Sequence, residues 1–163
     1  MASASTWSTR WKSAVAAVTD EDLDAVVSAL PATTAEEIDG WLATLAGLER
    51  FFEVVGSGRD GVLLLDPYRY DPAVESLVRW LYDRGLVVAG FAWADWDEGR
   101  RLQPSDLARC PVRDAVKMMT AVVRNDRFCA GALGGALESG MVQACLARLG
   151  VHLGGDGGRG VGA

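Results

Sequence analysis

The chain has 163 residues, half of them hydrophobic and 23% charged, with a formal net charge of −6 at pH 7. One domain's length with that much apolar material builds its own core, which excludes a disordered tract and removes any need for a metal or disulfide staple. No run approaches the roughly 20 apolar residues that cross a bilayer, and an acidic balance argues against nucleic acid as the main partner.

Residues 1–18 read as a flexible N-terminal segment of Ser, Thr and Ala carrying Trp7 and Trp11. Arg10 and Lys12 precede an apolar stretch, Ala14 to Val18, that is too short for a signal peptide and runs into Asp20, Glu21 and Asp22. The expected compartment is therefore the cytoplasm. From Thr19 the pattern is helical: Thr19 caps, acids fill the first turn, and Leu23, Val26, Val27 and Leu30 share a face. Pro31 stops that helix. Thr34-Ala-Glu-Glu37 opens a second as a capping box, with Ile38, Trp41, Leu42 and Leu45 along its apolar stripe. The short Pro-containing link predicts that the two pack as a hairpin.

At Phe51 the texture changes. Residues 51–55 and 62–65 are apolar runs of strand length, separated by Gly56-Ser-Gly-Arg-Asp-Gly61, which predicts a β-hairpin. No helix follows that Gly-x-Gly at the distance a dinucleotide site needs. Asp71-Pro72 starts the next helix, Val74, Leu77, Val78 and Leu81 are its buried stripe, and Gly85 ends it. Residues 86–89 are available as a third strand. A long helix follows Pro111 to about Arg124; Asp126 then caps a Gly- and Ala-rich helix from Phe128 to Glu138. A last helix runs Met141 to Leu149, leaving 150–163 as a disordered glycine-rich tail that holds the only histidine, His152. The fold class is α+β: a single, predominantly helical domain over 19–149 with a small antiparallel sheet of two or three short strands.

Three stretches, in order over residues 60–149, resemble a bacterial domain family of unknown function. They are Pro67-Tyr68 with Asp71-Pro-Ala-Val and Leu81-Tyr-Asp-Arg-Gly-Leu-Val-Val88; Phe91-Ala-Trp93-Ala-Asp-Trp96; and Thr120-Ala-Val-Val-Arg124-Asn-Asp126-Arg127-Phe128-Cys129-Ala-Gly131 with Leu137-Glu138-Ser139-Gly140. Relatives usually carry a glutamate where this chain has Ala130, and a histidine or other polar residue where it has Met141. The resemblance implies a bacterial setting and domain limits, and it supplies no activity to carry over.

Candidate chemistry is thin. Cys110, Cys129 and Cys145 are too few and too widely spaced for a structural zinc site, and no metal or cofactor is expected. With the one histidine in the tail, no Ser-His or Cys-His pair is expected. Cys129, beside Asp126 and Arg127, reads as a reactive thiol or, more simply, as a small buried hydrophobe. No catalytic residue is assigned.

Charge is unevenly placed. Asp20 to Asp39 hold seven acids and no base, whereas Arg109 to Arg127 hold five bases against two acids. This arrangement either steers a charged partner or draws two parts of one fold together. On a wheel, Arg113, Lys117, Thr120 and Arg124 form a basic stripe opposite Val112, Val116, Met119 and Val123, which Arg127 would extend. The leading functional expectation is a non-enzymatic protein-binding or regulatory domain, in a bacterial or mobile-element context. Its binding residues would be Arg113, Lys117, Arg124, Arg127, Trp93 and Trp96, since tryptophan and arginine are enriched at hot spots. One alternative is a small enzyme using Asp95, Asp97 or Glu138 with Arg127, which the same arginine would reach across the fold. The other is nucleic-acid binding through the basic helix 113–127.

Overall fold

A computed structural model of the chain describes residues 17–55 and 67–156. The segment with Trp7 and Trp11, the expected strand 62–65 and residues 157–163 lie outside the described residues. The elements are α1 (Asp20–Ser28), α2 (Thr34–Ala46), β1 (Phe52–Val54), β2 (Tyr68–Tyr70), α3 (Pro72–Asp83), α4 (Pro104–Leu107), α5 (Val112–Asn125), α6 (Ala132–Glu138) and α7 (Met141–Asp156), with two 3-10 turns at Trp93–Asp95 and Asp97–Arg101. Over the described residues the chain is thus a predominantly helical α+β fold with one small antiparallel sheet.

Local capping sets most helix starts. Thr19 Oγ1 accepts from Asp22 N at 3.2 Å while Asp22 Oδ2 accepts from Thr19 N at 2.8 Å, a reciprocal box that satisfies two N-terminal donors of α1. Asp71 Oδ1 accepts from Ala73 N and Pro72 takes the first position of α3, where its missing N–H costs nothing. α2 departs from expectation. Its cap is Thr33, because the Pro31 carbonyl accepts Thr34 N–H at 3.0 Å and winds the turn one residue early. Thr34 is therefore inside the helix, fully buried, and its hydroxyl has no partner among the described residues. Nor do α1 and α2 pack as a hairpin: α1 lies on α5 and α2 lies on α7.

The sheet pairs Phe52 with Tyr70 and Val54 with Tyr68. Residues 86–89 do not add a third strand. Val88 N donates to Thr120 Oγ1 at 3.0 Å, and that hydroxyl donates in turn to Leu86 O at 3.2 Å. One buried side chain on α5 thus satisfies backbone groups that would otherwise seek a ladder, and Leu86 and Val87 sink into the core.

α7 is the axis of the domain, packed against α2, α4, α5 and α6. Val142, Cys145, Leu146 and Leu149 are its buried stripe. The expectation that order ends at Leu149 is corrected: the helix runs on to Asp156, carrying His152 with it. Gly150 faces α2, where an added Cβ would meet Ile38 Cγ2 at 3.3 Å, and Leu153 packs on the core. Close approach of two helices outweighs a glycine's helix penalty of about 1 kcal/mol.

Candidate functional site

The expected basic stripe does not form a free cationic surface. Lys117 Nζ lies 2.8 Å from Asp20 and 3.5 Å from Asp114, and Arg113 lies 3.3 Å from Asp20 and 3.0 Å from Asp24. Lys117 also sits 5.7 Å over the Trp96 ring, with its side chain only 13% exposed. Thr120, expected on this face, is wholly buried. The acidic start of the chain and the basic helix therefore meet across the α1–α5 contact, and Lys117 holds the Asp20 carboxyl below its ordinary range. Of the stripe, Arg124 is half-buried and Arg127 lies past the end of α5.

The turn between α5 and α6 gathers the next functional groups. Asp126 is not the cap of a helix starting at Phe128; α6 begins only at Ala132. Its Oδ1 instead accepts from Tyr70 OH at 2.6 Å and Leu133 N at 3.0 Å, and Tyr70 OH accepts from Gly134 N at 3.2 Å. The carboxylate so ties the sheet to the first turn of α6. Gly131 has φ +88°, open to glycine, and an added Cβ would strike the Tyr68 ring. With Asp126 turned inward, the following residues are turned outward. Arg127 does not reach Glu138 or the Trp93–Trp96 region; its Nη2 donates to Tyr82 OH at 3.1 Å and its guanidinium lies over that ring. Phe128 is 77% exposed and stacks on Trp93 with centroids 6.0 Å apart. Cys129 is exposed, so the reading of it as a buried hydrophobe is overturned; Cys145 is the buried thiol, and burial pushes it up.

Two recesses flank the end of α5. One, of about 270 Å³, is walled by Trp93, Trp96, Met118, Ala121, Val122 and Arg100. The other, of about 240 Å³, has Val74, Val78, Val123 and Leu133 as its floor, with Tyr82 and Arg127 among its polar groups. Consecutive faces of one helix serve both, since residues 118, 121, 122 and 125 point one way and 123 and 126 the other.

The acids proposed for catalysis do not converge. Asp95, Asp97 and Glu138 are exposed, Asp97 pairs with Arg100, and none joins Arg127 in either of these two recesses. Among the described residues the His152 side chain makes no hydrogen bond or ion pair, and no three His, Cys, Asp or Glu side chains are placed to share a metal ion. No described helix is long and apolar enough to cross a membrane. Sequence reasoning missed Phe128, Tyr82 and Glu37. Glu37 accepts from Trp80 Nε1 at 2.7 Å and from Arg84, contacts that hold its carboxyl below the usual range and pin α3 to α2. A glutamate in the first turn of α2 gave no sign of a partner more than forty residues away.

No curated protein and no solved structure is significantly similar to the chain. A family model does match, over residues 18–153, which is the greater part of the sequence and ends within α7. The chain belongs to DUF6508, a family of unknown function.

Proposed function

We propose that the domain is a non-enzymatic binding module, in the cytoplasm of a bacterium, that receives a bulky apolar side chain of a protein partner in the Trp93–Trp96 recess. The observation that carries this is Phe128, a large hydrophobe 77% exposed and stacked on Trp93. An aromatic held out to solvent by a short turn gains nothing from the core, and it lies beside a recess of Trp, Met and Arg side chains, the types enriched in interface centres. The unbridged thiols and the family resemblance support the setting. The nucleic-acid alternative loses Arg113 and Lys117 to the ion pairs with Asp20, Asp24 and Asp114, which leaves Arg124 and Arg127 for phosphates.

The test is affinity capture from the native host with the full chain, read by quantitative mass spectrometry, using Phe128→Ser, Trp93→Ala and the exposed control Arg79→Ala. A hot-spot loss of about 2 kcal/mol corresponds to roughly thirtyfold weaker binding. One protein should be enriched by the wild type and by Arg79→Ala and lost with both aromatic variants. Equal capture by all four chains refutes the assignment.

A further inference from the structure

The second recess, on the other face of α5, has a different chemistry. Its floor is aliphatic: Val74, Val123 and Leu133 are buried and Val78 is half-buried. Above the floor stand two carboxylates, Glu75 and Asp126, and one guanidinium, Arg127. Asp126 is fixed through Oδ1 by Tyr70 and Leu133, and its Oδ2 has no partner among the described residues. The Glu75 carboxylate has no ion pair or hydrogen bond among the described residues either. Arg127 is oriented by Tyr82 through ring and hydroxyl, which engages one Nη and leaves its other N–H donors for a ligand.

A ligand that satisfies this set carries a cation for the carboxylates, an anion for the guanidinium, and an apolar body for the floor. The volume of about 240 Å³ lies just below the roughly 300 Å³ at which pockets for drug-sized molecules begin, which suits a small ligand. The geometry points to a binding site for a free α-amino acid with an aliphatic or aromatic side chain: its ammonium meets Asp126 Oδ2 and Glu75, its carboxylate meets Arg127, and its side chain lies on Val74, Val78, Val123 and Leu133. Both ionic ends are needed for full affinity, because a lone amine forgoes the contact with Arg127 and a lone carboxylate forgoes the contact with Asp126 and Glu75. The site is independent of the Trp93–Trp96 recess and stands whether or not a protein partner binds there.

Isothermal titration of the full chain with L-leucine and L-phenylalanine tests it, with L-leucinamide and N-acetyl-L-leucine as forms lacking one charge each. At least one free amino acid should bind at a single site with Kd below about 1 mM, and both blocked forms at least about tenfold more weakly. N-acetyl-leucine also stands for a peptide C-terminus and leucinamide for a peptide N-terminus, so preferential binding of either overturns the free amino acid. Arg127→Gln should weaken the free amino acid about tenfold and spare the amide, while Glu75→Gln should spare the N-acetyl form. Both side chains are exposed, and unchanged melting of each variant by circular dichroism shows that the effect is on binding. No saturation by either free amino acid up to about 10 mM, or blocked forms binding equally well, overturns the assignment.

Discussion

Replacing Asp126 with alanine should cost the fold far more than its half-buried position on a surface turn suggests. Its Oδ1 accepts two hydrogen bonds, from Tyr70 OH at 2.6 Å and Leu133 N at 3.0 Å. Bonds to a charged acceptor contribute about 1.5–3 kcal/mol each, and the value at a half-buried site lies near the lower end. The expected loss is about 3 kcal/mol, or roughly 6–12 °C in Tm for a domain of this length. Asp126→Asn keeps an oxygen acceptor and should cost about half as much. Urea denaturation of Asp126→Ala, Tyr70→Phe and the double variant closes a thermodynamic cycle. A coupling of about 1 kcal/mol or more is expected, since each single change already breaks the shared bond. If the two losses add to within about 0.5 kcal/mol, or if Asp126→Ala alone costs less than that, the tie between sheet and α6 is not what Asp126 provides.

The two adjacent glycines of α6 should respond to alanine with opposite signs. At Gly134 a Cβ would lie 2.7 Å from the Phe52 ring, so overpacking should cost about 1–3 kcal/mol in chemical denaturation. Gly135 is exposed with nothing within 4 Å of an added Cβ, and Gly135→Ala should stabilise by about 0.5–1 kcal/mol. Acid should weaken the α2–α3 contact through Glu37. Because Arg84 and Trp80 depress its folded-state pKa below the usual 4.5, its contribution is complete above that value and is lost as pH falls through the lower, folded one. The stability gap between wild type and Glu37→Gln, followed by thermal melts, should therefore be widest near neutrality and shrink below pH 4.5; a gap that stays constant removes Glu37 from the account.

What could be read from the sequence was what neighbours in the chain decide. Thr19 with Asp22, and Asp71 with Pro72, announce their helices because donor and acceptor lie within three residues. The apolar spacing of Val112, Val116, Met119 and Val123 places one face of α5 correctly in the core. Distant partners decided the rest. Thr120 looked like a polar residue on a solvated face, and is buried because Leu86 and Val88 supply its bonds. The two readings of the charge asymmetry were equal on the sequence; the Asp20–Lys117 and Asp24–Arg113 contacts realise the internal one. Helix continuation through Gly150 depends on the opposing Ile38, which no local propensity encodes. Trp93 and Trp96 were marked as binding residues by type, whereas Phe128, which stacks on Trp93, had no signal of exposure at all.

The axial position of α7 also bears on biosynthesis. Ile38 and Leu45 of α2 find their neighbours in a helix whose first residue is Met141, so about 95 residues of chain separate the two surfaces. At ordinary elongation speeds α2 waits roughly 5–20 s on the ribosome with its apolar stripe uncovered. A nascent chain halted anywhere before Met141 has no inner layer to close upon, which makes premature products of this polypeptide natural clients for chaperones and proteases.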